Sequence, residues 1–127
     1  MANNLTYLDF AIDTALYLNH AFSLGLRYND MVSQAQRSCE CYMKNIIQRA
    51  LVYDNDVMMS HNLRKLYEYI ESLGRDLSPI RSDVMLLNNF YTHTRYPGRE
   101  AFMAANADIE SSVAALQRIA QYLGCLD

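Results

Sequence analysis

Residues 30–51 read DMVSQAQRSCECYMKNIIQRAL, and the spacing of their apolar side chains narrows the architecture more than any other part of the chain. Val32, Ala35, Cys39, Tyr42, Ile46 and Ala50 recur at steps of three and four, which gathers them into one stripe on a helix, and Met43, Ile47 and Leu51 widen that stripe. Two adjoining stripes predict burial over a broad arc, as in the central helix of a bundle. The polar remainder is narrow: Arg37, Glu40, Lys44 and Gln48, with Glu40 and Lys44 in the i,i+4 order that favours an ion pair. Asp30 is placed to cap the start, and the polar Asp54, Asn55 and Asp56 predict an end near Tyr53.

The segments on either side are also helical. Leu5, Leu8, Ile12, Ala15, Leu16 and Phe22 give an inner stripe for a first helix that stops at a turn around Gly25 and Asn29. Downstream, Ser60 is expected to cap a shorter helix whose inner face is Leu63, Leu66, Ile70 and Leu73, with Gly74 as its stop. After Pro79, Ser82 or Asp83 starts another that aligns Val84, Leu87 and Tyr91 and ends before Pro97 and Gly98. A last helix carries Phe102, Ala105, Ile109, Val113, Leu116, Ala120 and Leu123, and its many alanines allow a close neighbour, in the chain or in a second copy. Alternating β patterns are absent. The expected fold is therefore all-α: an up-and-down antiparallel bundle of three long helices, with two shorter ones before the last, in a single domain over residues 1–127.

Composition excludes several classes. Apolar residues make up 51% and charged ones 20% of the 127, which suits a globular domain with a real core. Uncharged stretches are too short for a membrane span, and the N-terminus MANNLTYLDFAIDTA lacks a basic segment before its apolar part, so the expectation is cytoplasmic. Cys39 and Cys41 point to nearly opposite faces of their helix, which suits small packing residues in a reduced compartment and not a metal. A net charge of −3 opposes wholesale wrapping of nucleic acid. Between Arg64 and Arg99, six basic residues face four acids, giving +2, against five and ten, giving −5, elsewhere; an anion site is expected in that stretch.

No phosphate-cradling glycine loop, nucleophile elbow or zinc-binding His pair occurs, and His20, His61 and His93 are isolated, so neither a cofactor nor a metal is expected. His61 stands at the start of SHNLRKLYEYI. It reads either as a solvated first-turn residue or, with Asn62 and Arg64, as part of an anion site using the free amides of a helix N-terminus. In YTHTRYPG, residues 91–98, Arg95 reads as a cap on the last carbonyls or as a planar fork for phosphate, Tyr96 as a ring over the helix end, and His93 either way. Lys44 reads as a solvated partner of Glu40, or as a lysine whose stem covers core while its ammonium reaches a cleft.

The order SCECYMKNIIQRAL, SHNLRKLYEYIESLG, FYTHTRYPG and an alanine-rich closing helix resembles the HEPN domain, the higher eukaryote and prokaryote nucleotide-binding family, over nearly the whole chain. The most specific parts are the His61-Asn62-Leu63 start and Arg95-Tyr96-Pro97, which looks like the family's signature. The resemblance implies a homodimeric helical bundle, often beside a small nucleotidyltransferase in toxin–antitoxin pairs. Some members are metal-independent RNases that carry an arginine four to six residues before a histidine. Here the nearest arginines upstream of His61 and His93 are Arg49 and Arg81, each twelve positions away. RNA cleavage by that route is disfavoured, and a nucleotide-binding or recruiting role is implied, with Lys44, His61, Arg64, Arg95 and Tyr96 as the ligand-binding residues. A homodimeric interaction module without a small ligand is the alternative, and an RNase toxin with unconventional residues stands third.

Overall fold

The computed structural model describes residues 6–50, 53–90 and 106–124, and among them every regular element is helical. The order is α1 (Tyr7–Ser23), α2 (Asp30–Gln48), a short α3 (Asn55–Met58), α4 (Leu63–Ser72), a single 3₁₀ turn (Ser78–Ile80), α5 (Arg81–Asn89) and α6 (Asn106–Gly124). Helix α2 packs against α1, α4, α5 and α6, which makes it the axis of a helical bundle. The broad burial read from its two stripes is present: Val32, Ala35, Cys39, Met43 and Ile47 are all sealed from solvent. Apolar burial at roughly 25 cal/mol per Å² makes this shared face the main stabilising term. Helix α2 ends at Gln48, earlier than expected, and the Asp54 side chain then accepts from the Asp56 amide to start α3, an element the sequence pattern did not reveal.

The first helix is rotated from the seating its periodicity suggested: Ala15 is inside as expected and Leu8 and Phe22 pack against the core, but the centre of the buried face has moved. Thr6 and Asp9 form a capping box: the Thr6 hydroxyl accepts from the Asp9 amide at 3.1 Å, and the Asp9 carboxylate accepts from the Thr6 amide at 2.9 Å. From there the buried residues are Ala11, Ala15, Leu18 and Ala21, whereas Ile12 and Leu16, expected inside, are 42% and 64% exposed. Small side chains on the buried face let α2 come close enough for Ser38 Oγ to donate to the Ala11 carbonyl at 2.8 Å. Both sides of α1 are apolar, so a helical period could not distinguish them.

Two turns use glycine in the left-handed region, Gly25 at φ +84° after α1 and Gly74 at φ +96° after α4. Helix α4 is capped by Asn62 and not by Ser60, and it buries Tyr67 where Leu73 was expected. Asp83 lies inside the first turn of α5 instead of capping it. Its buried carboxylate takes the Arg118 guanidinium of α6 at 2.8–3.1 Å, clamping the two helices and pushing the Arg118 pKa up. Gln36 of α2 donates to the Leu87 carbonyl of α5 at 2.6 Å. Of the α6 alanines, Ala115 is fully buried and Ala120 packs half-buried against the core, while Ala107 is exposed. No helix among the described residues is long and apolar enough to cross a membrane.

Candidate functional site

One carboxylate organises the polar side of the bundle. Glu40 is only 8% exposed and Lys44 only 4%, so the middle of the narrow polar face of α2 is covered by the rest of the fold, while Arg37 and Gln48 at its ends stay exposed. The solvated lysine expected from sequence is therefore corrected, although its pairing with Glu40 is present: the Lys44 ammonium donates to Glu40 Oε2 at 2.9 Å. The ammonium also lies 6.0 Å from the centre of the Tyr7 ring of α1, within cation–π range. Removing two charges from water costs several kcal/mol each, so such a pair survives only when further partners satisfy it. His61 supplies one.

His61 lies 21 residues from Glu40, between α3 and α4, and its Nδ1 stands 3.0 Å and 3.2 Å from the two carboxylate oxygens. A carboxylate accepts only, so Nδ1 carries the proton in this contact. The ring is 56% exposed by side chain, which leaves Nε2 as the nitrogen not committed to Glu40. In the imidazolium form both nitrogens donate, Nδ1 inward to Glu40 and Nε2 to any anion that approaches.

The first turn of α4 is occupied by its own structure. The Asn62 side chain accepts from the amides of Arg64 at 3.0 Å and Lys65 at 3.3 Å; its carbonyl takes the Leu66 amide, and Asn88 Oδ1 of α5 takes the Leu63 amide at 2.9 Å. An anion here would therefore be held by side chains and not by free helix amides, which revises the N-terminal reading of His61. Arg64 is exposed and makes only a loose pair with Glu68, at 3.4 Å, and Lys65 is exposed beside it. A surface pair of that kind is worth about 0–1 kcal/mol and is easily surrendered to a phosphate.

Of the residues singled out from sequence, the structure brings Lys44 and His61 onto one carboxylate and sets Arg64 in the turn that follows. Arg95, Tyr96 and His93 lie outside the described residues. The residue that sequence reasoning missed as a hub is Glu40. Its i,i+4 relation to Lys44 was visible, but nothing local announced that a distant histidine would cover both. Cys39, next to it, is a free, fully buried thiol whose pKa is pushed up by burial and then by the Glu40 charge, so it is chemically quiet at neutral pH. Among the described residues no three His, Cys, Asp or Glu side chains converge as a metal site requires.

No curated protein and no solved structure matches the chain. The family model described as HEPN domain matches residues 7–126, all but six residues at one end and one at the other. A match of that extent, on a chain whose described elements are all helices packed around α2, carries one conclusion: the chain belongs to the HEPN family.

Proposed function

We propose that this chain is a non-catalytic HEPN module that binds the phosphate of a nucleotide or nucleic acid where α2, the start of α4 and the end of α5 meet. A small nucleotidyltransferase, in a toxin–antitoxin-like pair, is the protein partner proposed with it. The observation that carries the reading is the double engagement of Glu40, which buries the Lys44 charge and holds His61 in one orientation at the molecular surface. A preoriented donor loses less entropy on binding than a mobile one.

A second observation supports the place. Asn88 ties the last turn of α5 to the first turn of α4, which begins two residues after His61. Arg95 follows Asn88 by seven residues in the sequence, which is the reason for proposing it at the same site. Arg95 is proposed as a phosphate contact with His61 and Arg64, and Tyr96 as a stacking ring. Lys44 contributes by positioning Glu40, since its own ammonium is committed. Cleavage of RNA is not proposed, because no arginine stands four to six residues before a histidine.

Titration of ATP, GTP and a short RNA at two salt concentrations tests this. Binding should weaken with salt and fall on the order of tenfold in Arg95→Ala and in His61→Ala, the worth of one charge-assisted contact. Unchanged affinity in both variants removes the site. Metal-independent RNA decay that stops in His61→Ala would overturn the non-catalytic assignment.

A homodimeric interaction module is the second reading, favoured by the row of apolar side chains that α1 leaves in solvent.

A further inference from the structure

We infer that two copies of this chain pair through the outer face of α1, antiparallel about a two-fold axis between Leu16 and Tyr17. The inference rests on the homodimer reading and supplies the interface it lacks.

Seven large apolar residues are exposed along α1 and the turn after it: Phe10 at 50%, Leu16 at 64%, Tyr17 at 62% and Leu24 at 64%, with Ile12, Leu26 and Tyr28 each at 42%. Phe10, Tyr17 and Leu24 repeat every seven residues, and Ile12 and Leu16 are four apart, so they form two rows flanking the outward line of the helix. Together they leave on the order of 800 Å² open, above the few hundred that monomers ordinarily expose and near what each side of a standard interface buries. Seating α1 through alanines has turned its largest side chains outward.

Charge selects the occupant and its direction. The outward line between the two rows holds Asp9 and Asp13 in the first half of α1 and His20 in the last turn. Arg37 of α2 is exposed across a groove of about 400 Å³ that Asp13, Tyr17 and His20 also line. A face with carboxylates at one end and the His20 ring at the other is self-complementary when turned end for end, while Arg37 sits beside the Asp13 end, next to the Ser38 that meets Ala11. Antiparallel pairing about the stated axis sets each Asp13 opposite His20 of the other copy. Parallel pairing would instead stack Asp13 on Asp13, which is repulsive.

Sedimentation equilibrium of the full chain tests the pairing, with crosslinking to locate the axis. The expected result is a dimer whose dissociation constant rises roughly hundredfold in Leu16→Arg, which places two guanidiniums at the centre of the contact, while helical circular dichroism stays unchanged. Under mild oxidant, with the native chain as control, Tyr17→Cys should give a disulfide-linked dimer. Phe10→Cys should not, because two copies of residue 10 lie about 20 Å apart along the helices. A native chain that stays monomeric overturns both the homodimer reading and this interface. A dimer indifferent to Leu16→Arg, without a Tyr17→Cys crosslink, overturns the interface alone. A crosslink through Phe10→Cys but not Tyr17→Cys overturns the antiparallel axis.

Discussion

His61 Nδ1 meets both oxygens of Glu40, at 3.0 and 3.2 Å, on the same carboxylate that takes the Lys44 ammonium at 2.9 Å. The buried pair is thus completed by a residue from a separate part of the chain. Glu40→Gln leaves the Lys44 ammonium buried without a counter-charge and should cost about 3–5 kcal/mol. Adding Lys44→Met to that variant should recover most of the loss, because the uncompensated charge is gone. Urea denaturation of the wild type, the single and the double variants checks this, and a double variant no better than the single one contradicts it.

The two faces of α1 should respond differently to truncation. Leu18 is fully buried, so Leu18→Ala should destabilise the fold by about 2–5 kcal/mol through lost burial and the cavity left behind. Ile12 is 42% exposed, and at dilutions where the chain is monomeric Ile12→Ala should change stability by less than about 1 kcal/mol. Equal losses in the two variants would place Ile12 in the core after all.

The start of α4 depends on two asparagines from different elements. Asn62→Ala removes the acceptor for the Arg64 and Lys65 amides and should cost about 1 kcal/mol, whereas Asn62→Gly should cost only a few tenths. Asn88→Ala strands the partly buried Leu63 amide and should cost about 1–3 kcal/mol. Thermal melts of the three variants should rank them Asn88→Ala, Asn62→Ala, Asn62→Gly, from most to least damaging.

The capping box of α1 gives the fold an acid-sensitive end. The Thr6 amide, then the Thr6 hydroxyl, hold the Asp9 carboxyl below its ordinary value of 3.8. A carboxyl lowered in the folded state stabilises it fully above the unfolded-chain value, and that contribution disappears as pH falls through the folded one. Stability followed from pH 5 downward should therefore decline less steeply in Asp9→Asn than in the wild type. Parallel acid limbs in the two proteins would show that the capping carboxylate contributes nothing.

Much of the architecture was legible because it is local. Periods of three and four place helices wherever apolar residues recur, and the broad stripe of α2 named the central element before any contact was known. The face of α1 was only half legible, since Ala15 makes as good a stripe with Ile12 and Leu16 as it does with Ala11 and Leu18. Which one is buried depends on how closely α2 can approach. The site divides in the same way: Lys44 and Glu40 could be paired from their spacing, but their burial requires Tyr7 and His61 to fold over them from other segments.

From residue order alone come the helical class, the i,i+4 ion pair and the HEPN resemblance, because each rests on neighbours a few positions apart or on a motif carried in order. Packing settled that the pair lies inside, that Asn62 and Asn88 use up the amides of α4, and that α1 turns its larger side chains outward. Burial is a property of surfaces brought together from distant parts of the chain, and no spacing along one helix records which surface its neighbours will cover.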